Sequence, residues 1–113
     1  MKRHNGSLEL MIMLAIMRLE DAAYGVPISR EIEESAGREV AMATVYASLD
    51  RLEARGLVKS KLGDPTPERG GRSKRHYQLE PDGKRALRES VLAARRICEA
   101  VAEIWGTEME KSK

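Results

Sequence analysis

Apolar residues along this chain fall into four helical rhythms and two short alternating ones. From 7 to 20 nearly every position is apolar: Leu8, Leu10, Met11, Ile12, Met13, Leu14, Ile16, Met17 and Leu19. Asn5 or Ser7 can cap this first helix and Glu9 favours its opening turn. A helix apolar all round must be covered on more than one side, and the rest of a short chain offers too few elements to do so. One face is therefore expected to meet its own domain, and another, with Leu8, Met11 and Ile12, a second subunit. In residues 24–37 Tyr24, Ile28 and Ile32 recur every four positions, with Pro27 in the first turn and Gly37 as terminator. In 41–56 Met42, Val45, Leu49 and Leu52 mark one buried helical face, and Gly56 closes the helix. Residues 57–62 and 75–80 alternate as strands, Val58 with Leu62 and Tyr77 with Leu79, around a loop at 63–74. The last helix opens at Pro81 or Asp82 and runs to about Trp105.

In that last helix Leu87, Val91, Ala94, Cys98, Val101 and Trp105 follow steps of four and three, and Ile97 and Ile104 widen the stripe. Some 24 residues span about 36 Å, more than a small domain can cover, so the helix is expected to pack against its copy in a second subunit. The pattern predicts a mainly α chain with a small β-hairpin: a winged helix-turn-helix plus a long C-terminal dimerisation helix. Residues 1–80 would form the winged unit, with the N-terminal helix 7–20 shared with the dimer interface, and 81–113 the dimerisation helix and a short tail.

Composition narrows the chemistry. Among 113 residues there is no Phe and aromatics are 4%, so the core must be aliphatic, with six Met as adaptable filler. Cys98 is alone, which excludes an intrachain disulfide, and His4 and His76 have no neighbouring ligand pairs, so neither a metal nor another cofactor is expected. No stretch has the ~18 apolar residues of a membrane span, and the basic start lacks a hydrophobic leader, so a cytoplasmic protein without a membrane partner is expected. No nucleophile with a base and no glycine loop before a helix points to an enzyme.

Charge is segregated. From Arg55 to His76 seven Lys or Arg stand against Asp64 and Glu68, a local +5 in a chain of net +2, which leaves −3 for the remainder. Just upstream, the side of helix 41–55 opposite its apolar face carries Ala43, Ala47, Asp50, Arg51 and Ala54, flanked by Thr44 and Tyr46. A solvated helix ordinarily shows Glu, Lys or Gln there. Small side chains allow close approach in a major groove about 12 Å wide. The candidate DNA-binding residues are Ala43, Thr44, Tyr46, Ala47, Ser48 and Arg51 on the helix, with Arg69, Gly70, Gly71, Arg72, Lys74 and Arg75 on the basic wing 57–80. Tyr24, at the start of the second helix, serves either a backbone phosphate or the core. The alternative is a winged-helix protein-interaction module whose basic wing meets an acidic protein. Steep salt dependence and a preference for palindromic duplex would favour DNA.

The stretches ATVYASLDRLEARGLV (43–58) and GDPTPERGGRSKRHYQL (63–79) closely resemble the PadR-like transcriptional regulators, and Tyr24-Gly25 with Ile28 upstream and Gly83 with Ala86 and Leu87 downstream fit the same pattern. The resemblance covers nearly the whole chain. It implies a repressor that binds palindromic double-stranded DNA as a homodimer, in the branch with a single C-terminal dimerisation helix. The expected interface is Leu8, Met11, Ile12, Leu87, Val91, Ala94, Ile97, Cys98, Val101, Ile104 and Trp105. Some members hold planar aromatic ligands against a tryptophan midway along the last helix. This chain departs from them, with Ala94 at that place and Trp105 three turns further on as an interface anchor. A small-molecule effector is accordingly left unnamed.

Overall fold

The computed structural model describes residues 6–63 and 74–106. Four helices and one hairpin follow in order: α1 (Ser7–Leu19), a 3-10 turn (Glu20–Ala22), α2 (Gly25–Ala36), α3 (Met42–Ala54), β1 (Val58–Leu62), β2 (Arg75–Leu79) and α4 (Pro81–Trp105). The mainly helical class with a two-stranded wing is as the sequence pattern predicts, with boundaries within two residues.

α1 is the central element, in contact with α2, α3, β2 and α4. It begins after Gly6, whose N–H donates to the Glu9 carboxylate at 3.3 Å. Ile12, Met13, Ala15 and Ile16 are buried against Ile28 and Ile32 of α2 and Val45, Leu49 and Leu52 of α3 in one aliphatic core. Each Ile, Leu, Val or Met side chain withdrawn from water here contributes about 1.5–3 kcal/mol. This corrects the expectation for Ile12: it is fully buried by its own subunit and offers nothing to a partner. Leu8 and Met11, also expected at the interface, are half-buried and pack on the same core. Leu14 and Met17 are the large apolar residues that α1 leaves exposed.

α2 stops where Gly37 turns left-handed, at φ 62°. Gly56, at φ 74°, does the same after α3, and the Leu57 N–H reaches back to the Leu52 carbonyl at 3.0 Å. The chain then enters the antiparallel wing, with Val58 opposite Leu79, Ser60 opposite Tyr77 and Leu62 opposite Arg75. Val58 and Tyr77 are buried, but Leu62 is half exposed, because that end of the hairpin has left the core. The wing root is pinned twice: the Tyr77 N–H donates to the Ala23 carbonyl at 2.8 Å, and the Glu80 N–H to the Leu57 carbonyl at 2.9 Å. The second contact seats α4. A Cβ on Gly83 would overlap the Leu57 carbonyl oxygen, so only glycine lets the first turn of α4 lie this close.

Beyond that seat α4 leaves the domain. Its 25 residues reach about 37 Å, and the described residues extend 56 × 32 × 21 Å with a radius of gyration of 16.6 Å. A compact chain of this length would have about 13 Å. Ala86 and Leu87 still pack on the core, whereas from Val91 to Gly106 every residue is exposed except half-buried Val101.

Candidate nucleic-acid interface

The face of α3 turned away from the core is as bare as its pattern requires. Ala43, Thr44, Ala47, Asp50, Arg51 and Ala54 are all exposed, and Tyr46 is 45% exposed on the flank nearer α2. Ser48 is a correction. It was expected to face outward, yet it is fully buried, because it stands three residues after Val45 and four before Leu52 and shares their side of the helix. Its hydroxyl accepts a hydrogen bond from Arg51 Nη2 at 3.0 Å.

Arg51 and Arg55 lean toward the N-terminus of α1. The Glu9 carboxylate, on a side chain only 14% exposed, lies 3.5 Å from Arg55 Nη1 and 4.0 Å from Arg51 Nε. The sequence pattern places Glu9 in the opening turn of α1 and does not reveal this pairing. No local pattern could reveal a partner 46 positions away. The Arg51 side chain nevertheless remains more than half exposed.

The wing root lies beside this face. Ser60 Oγ donates to Glu53 of α3 at 2.7 Å and accepts from Arg75 Nη1 at 3.0 Å, so the Arg75 guanidinium is aligned by a chain of bonds that starts on α3. Lys59 pairs with Glu80 at 3.7 Å. Lys74 turns the other way: its ammonium lies 4.5 Å from the centre of the Tyr24 ring and donates to the Tyr24 hydroxyl at 3.3 Å. His76 meets the same ring edge-on, with centroids 5.3 Å apart. Tyr24 is thus half-buried at the residue preceding α2, with a cation of the wing fixed on it. The wing-tip candidates Arg69, Gly70, Gly71 and Arg72 lie outside the described residues. Behind this surface the Tyr77 phenol is held above its ordinary pKa, first by burial and then by the Asp50 carboxylate. It stays neutral under the helix that would carry the contacts.

The sequence pattern of the transcriptional regulator PadR-like family matches residues 13–89, well over half of the chain and all of the wing and its two supporting helices. The chain belongs to the PadR-like family. The described fold also matches solved members. A PadR family regulator from Clostridium difficile R20291 superposes with a TM-score of 0.72 at 27% identity, covering 89% of this chain and 100% of that one. A PadR-like transcription factor from Bacteroides fragilis gives 0.68 at 27% identity, with 86% and 88% covered. Bacillus subtilis PadR in complex with operator DNA gives 0.60 at 19% identity, covering 75% of this chain and 46% of that one, a likeness of fold. Among curated proteins no match is found. PadR-like membership makes this chain a transcriptional regulator with a DNA-binding winged helix. Among its described residues no helix is long and apolar enough to cross a membrane.

Proposed function

We propose that this PadR-like regulator acts as a repressor and that two copies, joined through α4, bind palindromic duplex DNA. In this arrangement 1–80 is the DNA-binding unit and 81–113 the dimerisation arm. The observation that carries the proposal is the bare alanine face of α3 set directly beside cations fixed on the wing root. Ala43 and Ala47 permit the helix to sit deep in the major groove, where Thr44, Tyr46 and Arg51 reach base edges and flanking phosphates. Lys74 and Arg75, with the wing-tip residues, neutralise backbone phosphates. The Bacillus subtilis relative solved with operator DNA supports the same use of this fold.

The dimer follows from what α4 leaves uncovered. Val91, Ile97, Ile104 and Trp105 are 51%, 65%, 79% and 56% exposed, a cost in water that a second copy removes. Cys98, free and exposed in the single chain, and Ala94 then become seam residues. Two recognition helices related by a two-fold axis would read half-sites about 34–36 Å apart. Selection of bound duplexes from random DNA tests this directly. Recovery of an inverted repeat with about one helical turn between half-sites is the expected result. Failure to enrich any duplex at low salt, with tight capture of an acidic protein instead, would establish the interaction-module alternative.

A further inference from the structure

Tyr46 occupies a place that only a glycine leaves open. Its ring reaches from α3 onto the first turn of α2, where a Cβ on Gly25 would overlap the Tyr46 hydroxyl and lie 2.7 Å from Cζ, with Met42 Cε at 3.1 Å. Gly25 is buried and has no left-handed backbone angle, so its own conformation does not demand glycine. What demands it is the tyrosine. One residue earlier Tyr24 carries the Lys74 ammonium of the wing. The first turn of α2 therefore gathers a phenol from α3, a phenol from the residue just before α2 and a cation from the wing, at the end of a helix whose free N–H groups favour an anion.

We propose that Gly25 is a positioning residue for DNA binding: by lacking a side chain it lets Tyr46 lie across the start of α2 and holds the hydroxyl ready for a backbone phosphate. The inference rests on the DNA-binding function proposed above. A preset donor loses little freedom on binding, whereas a swinging tyrosine must be ordered at the cost of affinity.

The two roles of a glycine separate on substitution. Gly25→Ala adds one methyl at a helical position that suits alanine, and the atoms it meets are the far ends of two flexible side chains, which can move. The variant is expected to fold with unchanged helicity and a thermal midpoint at or above wild type, while its affinity for the selected operator falls roughly tenfold, the effect of one lost bond to a charged group. Tyr46→Ala should lose at least as much. Adding Gly25→Ala to Tyr46→Ala should cost nothing further, because the group that the glycine positions is gone. Should Gly25→Ala prove unstable, the same double variant decides: recovery of stability supports the contact, and continued instability overturns it. Wild-type affinity in a folded Gly25→Ala protein, or a full additional loss in the double variant, also overturns the inference. Failure of wild type to bind any duplex would instead overturn the DNA-binding function.

Discussion

α1 and α4 are both rich in apolar residues, and the chain treats them oppositely. α1 lies in the middle of the domain, so α2, α3 and the wing bury Ile12, Met13, Ala15 and Ile16 almost completely. α4 is seated only over its opening turns, at Gly83, Ala86 and Leu87, and then carries its stripe into solvent. The difference is one of supply. A chain of 113 residues has enough surface to wrap one helix and not two. The first stripe therefore stabilises the subunit, and the second stays exposed in the single chain and is the one the proposed dimer would bury.

The sharpest break of this comparison is Ile12→Ala in α1. It should destabilise the subunit by about 2–5 kcal/mol, seen as a lower urea midpoint at every protein concentration. In α4, Val101→Asp puts a carboxylate on the seam and should raise the dimer dissociation constant at least about a hundredfold. Sedimentation would then show folded single subunits, and an unchanged dimer would reject α4 as the interface. Between the two helices, Gly83→Ala drives a methyl against backbone at Leu57 and should cost about 1–3 kcal/mol, detected by chemical unfolding.

Smaller effects belong to the surface. Lys74→Ala should weaken all duplexes alike and lower the salt slope by about one unit; a loss confined to the preferred operator would assign Lys74 to base reading. The smallest concerns Tyr77. Its phenol ionises above the ordinary value of about 10 because of burial and Asp50. The stability this contributes is fully present below that value and is lost as pH rises through the higher folded one. Tyr77→Phe should flatten that alkaline fall in denaturant titrations, with little change in pH dependence near neutrality.

Periodicity was enough to place the four helices, since each has one face whose spacing matches the helical repeat. It also located the strands and the unclothed side of α3. It misjudged Ser48, because a hydroxyl reads as outward even when Val45, Leu49 and Leu52 put its position on the inner face. It misjudged Ile12 for another reason. In a helix apolar on all sides, no pattern tells which side its own chain will cover. Contacts between distant segments, such as Glu9 with Arg55 or Lys74 with Tyr24, have no local signature at all.

The Glu9 contact has a mechanical consequence. It links the last turn of α3 to the first turns of α1, at the opposite end of α3 from Tyr46, so the reading helix cannot pivot without dragging α1 along. Each headpiece then behaves as a rigid block. In the proposed dimer, control of operator occupancy would then fall to the crossing of the two long arms, where a few degrees of rotation would be magnified by leverage into ångströms at the grooves.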